Sequence, residues 1–142
     1  MITGIGVDVV HVHRMERWRK VQGLLERYFH PNELSAALSK GNSAVLSLAA
    51  RFAAKEAFGK ALGTGLAGIV LKDIMVKNRH NGQPEILVFG TALEALKQSG
   101  ASRIHVSLTH ERDNAIAMVV LESELPGRDA GGSFVSTAGG SV

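Results

Sequence analysis

Cysteine is absent from the 142 residues, so disulfides, thiolate nucleophiles and cysteine-ligated zinc are excluded and reducing conditions pose no difficulty. Aromatic residues are scarce, at 5%. The core must therefore come from Val, Ile, Leu and Ala, and a small domain so built leans weakly toward subunit contacts for stability. The chain has no long Lys/Arg tract and no interleaving of basic with aromatic residues, which argues against a groove that follows a nucleic-acid backbone. Nor does an apolar run reach membrane-spanning length, because Met1-Ile2-Thr3-Gly4-Ile5-Gly6-Val7 meets Asp8 and carries no basic n-region. The expectation is a cytoplasmic protein with no membrane insertion and no nucleic-acid partner.

Several catalytic signatures are missing too. Gly63-Thr64-Gly65-Leu66-Ala67-Gly68 lacks the Gly-Lys-Ser/Thr ending and the preceding strand of a P-loop. There is no HExxH run, and Ser107 has no nucleophile-elbow context.

What remains is 45% hydrophobic and 20% charged, as expected of a globular domain. The length allows one core, assigned to residues 1–122, followed by a flexible Gly-rich tail over 123–142. A net charge of +3 and a pI near 9.5 suit a polyanionic ligand or an acidic protein partner.

Alternation over Ile2–Val12 predicts a strand with Ile5, Val7 and Val9 on one side and Gly4, Gly6 and Asp8 on the other. His13–Leu25 reads as helical with a break near Gly23, and Pro31 opens a short helix ending near Gly41. The Ala-rich run from a Ser43 cap to Leu62 is the strongest helix. Next come a strand over Ile69–Lys77, an Asn81-Gly82 turn and a strand over Glu85–Phe89. A helix over Thr91–Gln98 follows, then strands over Arg103–Thr109 and Asn114–Leu121 joined by a loop from His110 to Asp113. Short links between consecutive strands favour an α+β fold with an antiparallel sheet and a long packed helix over a doubly wound one.

Asp8 interrupts a Val/Ile strand, where a buried charge needs a partner, a metal or several hydrogen bonds. Glu56 is a second hard oxygen ligand on a rigid helix, and the two suffice for Mg²⁺ when a ligand supplies phosphate oxygens. Arg51, Lys55 and Lys60 are suited to phosphate, and Arg51 with Lys55 forms an i,i+4 like-charge pair that favours an anionic partner. His110 suits phosphate binding or proton transfer. Each also has a plainer reading: a solvated edge aspartate, a Glu56–Lys60 helix salt bridge, surface cations, a hydrogen-bonded loop histidine. His11 and His13, placed on one strand face away from Asp8, read as structural or surface residues.

Three separated motifs, Gly4-Ile5-Gly6-Val7-Asp8-Val9-Val10, Arg51-Phe52-Ala53-Ala54-Lys55-Glu56-Ala57-Phe58-Gly59-Lys60-Ala61-Leu62-Gly63 and Val106-Ser107-Leu108-Thr109-His110, resemble the holo-acyl-carrier-protein synthases, a family of 4′-phosphopantetheinyl transferases. Tyr28-Phe29-x-Pro31-x-Glu33 agrees, and the resemblance runs from about Ile2 to Leu121.

It implies the small phosphopantetheinyl-transferase fold, a homotrimer with active sites between subunits, and Mg²⁺ held by Asp8 and Glu56. Coenzyme A is then the cosubstrate, met by Arg51, Lys55, Lys60, Gly63 and His110, with Asp8, Glu56 and Lys60 as catalytic residues. The implied reaction moves phosphopantetheine to a serine of apo-acyl carrier protein for fatty-acid biosynthesis. Arg14, Arg17 and Arg27 are the implied carrier-docking residues, and Glu56 the implied acceptor of the serine proton. Two departures stand out: His11 where the family often carries Glu, and a longer tail. The alternatives are a transferase for polyketide or nonribosomal peptide carriers and a noncatalytic module binding coenzyme A or a carrier.

Overall fold

The structure is a computed structural model that describes residues 1–124 and the short strand Ser136–Ala138. Strand β1 (Ile2–His11) is followed by three short helices, α1 (Val12–Arg19), α2 (Leu24–Tyr28) and α3 (Pro31–Leu38). The long helix α4 (Ala44–Leu62) leads to a hairpin of β2 (Ile74–Asn78) and β3 (Pro84–Val88). Helix α5 (Gly90–Gln98), a second hairpin of β4 (Arg103–Glu111) and β5 (Asn114–Glu122), and β6 (Ser136–Ala138) complete the order. The main sheet runs β1-β5-β4-β6, antiparallel across β1, β5 and β4, with β6 parallel to β4. Strands β2 and β3 form a separate antiparallel pair. This is the α+β architecture expected. Most of the predicted tail lies outside the described residues.

Helix α4 is the centre of the molecule. From Leu48 to Ala61 every residue is buried except Glu56, half-buried, and Lys60, exposed. One wall of its surroundings is the inner face of the sheet, where Val10, Ala115, Ala117, Val119, Leu121, Ile104, Val106 and Leu108 are buried. The other wall comes from α1, α3 and β2. Small residues let the wall close in: a Cβ built on Gly6 would run into the Ala57 carbonyl and lie 2.7 Å from Ala61 N, and one on Gly4 would strike the Ala61 carbonyl. Strand and helix therefore touch backbone to backbone.

The same alternation sends the branched side chains of β1 outward. Ile5, Val7 and Val9 are 60%, 54% and 56% exposed, and Met118, paired with Val7, is 45% exposed. These residues form an apolar outer sheet face with nothing covering it among the described residues.

Several boundaries move for local reasons. His13 lies in α1 and not on the first strand. Gly23, at φ 77, separates α1 from α2. Leu71–Asp73 is a 3₁₀ turn, so β2 starts only at Ile74. Ser43 stands at the N-cap of α4 without a side-chain cap hydrogen bond. The β4–β5 turn is only Arg112-Asp113, with Arg112 at φ 49, which draws His110 and Glu111 into the strand opposite Ala115 and Asn114. Among the described residues, no helix is long and apolar enough to cross a membrane.

Because the Gly6 contact involves main chain on both sides, neither partner can yield by changing rotamer. Gly6→Ala should lower unfolding free energy by about 2 kcal/mol or more in urea titrations. A loss under about 0.5 kcal/mol would show that the helix and strand separate at little cost.

Candidate active site

Asp8 points from the inner face of β1 toward the edge of α4 that carries Lys60. Its Oδ1 accepts a hydrogen bond from Lys60 Nζ at 2.8 Å, and the same ammonium donates to the Val7 carbonyl at 3.1 Å. Glu56, one turn before Lys60, shares this edge. Lys60 therefore pairs across to the strand and not along the helix to Glu56. The Asp8 hydrogen bond raises the Lys60 pKa. Burial raises that of Glu56, and the charge of Asp8 raises it further against the opposing charges of Arg14 and Lys60. Two carboxylates are thus close enough to repel each other, with cations on either side.

Arg14, expected from the resemblance to serve carrier docking, also stands near Glu56. Its guanidinium lies 4.8 Å from the centre of the Trp18 ring and 5.0 Å from that of Phe52, a cation–π seat beside the carboxylates. Arg17 and Arg27 are exposed. Gly63, at φ 82, ends α4 in the left-handed conformation, its N–H donating to the Lys60 carbonyl at 3.0 Å. That conformation, which an L side chain resists, turns the chain away just beyond Lys60.

Lys55 is not part of this edge. It is 0% exposed, and its ammonium donates to Glu33 Oε1 and to the carbonyls of Leu71 and Ile74. The sequence assignment of Lys55 to phosphate is therefore corrected: its three donors are engaged inside the core. Burial pulls its pKa down, and the Glu33 charge and hydrogen bond oppose that shift. Arg51 lies on the same side of α4, with Nη1 donating to the Val76 carbonyl and Nε to Ser47 Oγ at 3.2 Å. The anion that balances this like-charged pair is internal. Glu33 also accepts from Val76 N at 3.0 Å and, as the third residue of a capping box, from His30 N at 2.9 Å.

Sequence reasoning saw Glu33 only as part of a motif. The clue was available: a glutamate two residues after Pro31 sits where a capping carboxylate belongs, ahead of a helix with two unbalanced cations.

Arg51 does line a cleft of about 290 Å³, together with Lys40, Ser47, Asn78, Leu108 and His110. Neither Asp8, Glu56 nor Lys60 lines it. Within one chain the predicted site residues thus fall into two groups: Asp8, Glu56, Lys60 and Gly63 at one edge, Arg51 and His110 at a cleft elsewhere. His11 is exposed at the end of β1, opposite Asn114. Among the described residues no group of three or more His, Asp or Glu could hold a metal ion.

The model of the 4′-phosphopantetheinyl transferase superfamily matches residues 4–119. The holo-[acyl-carrier-protein] synthase of Treponema denticola is 58% identical over 122 residues, which is 86% of this chain and 99% of that protein. The synthase of Treponema pallidum is 45% identical over 124 residues, 87% of this chain and 98% of the relative. Among solved structures, the Neisseria meningitidis synthase superimposes with a TM-score of 0.78 at 36% identity, covering 87% of this chain and 100% of the other. The Bacillus anthracis synthase, in complex with coenzyme A (3′,5′-ADP), gives 0.73 at 35% identity, covering 87% and 99%. With matches of this extent in sequence and in fold, the chain belongs to the holo-acyl-carrier-protein synthases of the 4′-phosphopantetheinyl transferase superfamily.

Proposed function

We propose that this enzyme works in the cytoplasm as an Mg²⁺-dependent transferase, moving phosphopantetheine from coenzyme A to a serine hydroxyl of apo-acyl carrier protein for fatty-acid biosynthesis. The serine oxygen forms a bond to the phosphorus that carries pantetheine, the pyrophosphate bond breaks, and adenosine 3′,5′-bisphosphate leaves. The observation that carries the reading is the convergence of Asp8, Glu56 and Lys60 at the edge of α4 where Glu56 and Lys60 interrupt its buried stretch.

The donor set fits a hard divalent cation. Two mutually repelling carboxylates supply oxygen ligands, and fewer than three such residues gather there, so phosphates and water must complete the shell. Bound there, Mg²⁺ supplies positive charge to a pyrophosphate. Lys60, exposed and held among the described residues by Asp8 and one carbonyl, can turn its ammonium to a phosphate oxygen. Glu56, directly or through water, is the acceptor for the serine proton. Arg51, Gly63 and His110 are assigned to coenzyme A contacts, with Lys55 removed from that set. Arg14, Arg17 and Arg27 face an acidic carrier surface, chiefly aiding encounter and orientation.

A homotrimer with intersubunit sites belongs to the same proposal. Its support is the uncovered Ile5, Val7, Val9 and Met118 face, together with the separation of Arg51 and His110 from the carboxylates. If so, His110 of one subunit serves a ligand held by Asp8 and Glu56 of the next.

The deciding experiment is intact-mass analysis of apo-acyl carrier protein after incubation with the enzyme, coenzyme A and Mg²⁺. A phosphopantetheine adduct should form and vanish with EDTA, Asp8→Ala or Glu56→Ala; Arg17→Glu/Arg27→Glu should raise the carrier KM. Binding of coenzyme A with no adduct on any competent carrier would favour a noncatalytic module.

Glu56 also links pH to stability. Its carboxyl holds a proton more tightly folded than unfolded, so stability falls as pH rises from the ordinary 4.5 through the raised folded-state value. Above that window the ionised group is a standing penalty. Glu56→Gln should therefore melt higher than the parent at pH 7 without Mg²⁺, converge with it below about pH 4.5, and lose turnover. A lower Tm at pH 7 would refute the electrostatic assignment.

Sedimentation tests the assembly. Val7→Lys should yield monomers with little turnover, whereas Glu56→Ala and His110→Ala, each impaired alone, should regain partial turnover when refolded together. Failure of the mixture, with mixed oligomers demonstrably formed, would place both residues in one subunit's site.

A further inference from the structure

We propose that the buried Glu33–Lys55–Arg51 cluster is a positioning element for the transfer reaction, fixing the rotation and axial register of α4 and with it the place of Glu56 beside Asp8. The inference rests on the functional reading above and adds to it residues that do not touch the reacting groups.

Three observations support it. First, the contact between α4 and β1 is smooth. Glycines of the strand meet alanines of the helix, so the interface holds the two backbones close but offers no large side chain to index one against the other. Second, directional bonds join α4 to its surroundings on two sides. On the open side, Lys60 reaches Asp8 and the Val7 carbonyl, with the Lys60 side chain 54% exposed and that of Asp8 17% exposed. On the buried side, Lys55 reaches Glu33 and two carbonyls at the entry to β2, and Arg51 reaches the Val76 carbonyl.

The open-side bonds are the ones the reaction must exchange. When Asp8 and Lys60 turn to the ligand, the buried bonds of Lys55 and Arg51 remain as a directional link between α4 and its surroundings. Third, Glu33 reaches both flanking elements: it caps α3 through His30 N, and its second oxygen takes Val76 N, while the Val76 carbonyl takes Arg51. One strand residue is thus gripped by Glu33 at its N–H and by α4 at its carbonyl. Lys55 and Glu56 are consecutive on a rigid helix, so displacement of the first carries the second.

A purely structural pair would affect how much enzyme folds, and not how fast each folded molecule turns over. Glu33→Gln/Lys55→Met removes both members of the ion pair at nearly constant side-chain length, so neither of the two is left charged without the other, while Arg51 keeps its bond to the Val76 carbonyl. Turnover is read per folded molecule, counted by circular dichroism and gel filtration, with kcat and the coenzyme A KM determined separately. The expected result is a fall in kcat of about tenfold or more with KM changed far less. A kcat loss smaller than about threefold overturns the positioning role.

If the double variant does not fold, Glu33→Asp, which keeps the charge but withdraws it by one methylene, is held to the same criterion. Absence of turnover by the unsubstituted chain on any carrier would overturn both this proposal and the reading on which it rests. Unchanged kcat in the variants beside an active parent would overturn the positioning role alone.

Discussion

The backbone contact between β1 and α4 is the constraint on which the remaining features depend. Gly4 and Gly6 remove the side chains that would hold the strand away, and Ala57 and Ala61 do the same for the helix. At this separation a strand carboxylate at position 8 and a helix ammonium at position 60 meet directly, 2.8 Å apart. Longer side chains at the interface would move Asp8 out of reach of both Glu56 and Lys60. Smallness is therefore a requirement of the site as much as of the core. It also accounts for a helix rich in alanine, the residue that best combines helix propensity with low bulk.

That helix carries two lysine–carboxylate pairs whose environments give them different roles. Glu33–Lys55 is wholly buried, and each charge has further hydrogen bonds; removing it from water is tolerable only because every donor is matched. Asp8–Lys60 lies partly in water, where pairing is weakened by solvent and salt and a ligand can replace either partner. A permanent pair and an exchangeable pair are thus spaced five residues apart on one rigid rod. Arg51 stands between these extremes: buried and bonded to a strand carbonyl, it still lines a cleft.

Much of this was legible in the sequence. The glycine alternation in β1, the alanine-rich helix and the two hairpins are local patterns, and the α+β architecture follows from their order. Asp8 and Glu56 stood out because a charge bordering an apolar run needs a reason. Lys55 departs from its expected phosphate role because periodicity shows which residues share a helix face but not what faces them, here Glu33. On a helix buried nearly all round, an internal anion and a bound phosphate balance a cation equally well. The polar stretch from His110 to Asp113 reads as a loop in the sequence, whereas the sheet extends through His110 and Glu111 until a two-residue turn closes it. The 3₁₀ turn at Leu71–Asp73 depends on long-range bonds, including Lys55 to the Leu71 carbonyl, that no local window contains.

The uncovered apolar face and the divided set of site residues bear on the same question. With Gly4, Gly6 and Asp8 turned toward α4, a two-residue repeat forces Ile5, Val7 and Val9 to the other side. A strand cannot give its small and charged residues to a helix and also bury its branched ones in the same core. It therefore leaves an apolar surface uncovered among the described residues, the surface that the proposed assembly would bury. His110, near the C-terminal end of β4, lines a cleft that Asp8 does not, and in the proposed assembly two subunits' surfaces would bring the two groups to one ligand. On that view the glycines that admit Asp8 to the helix also create the surface by which subunits meet.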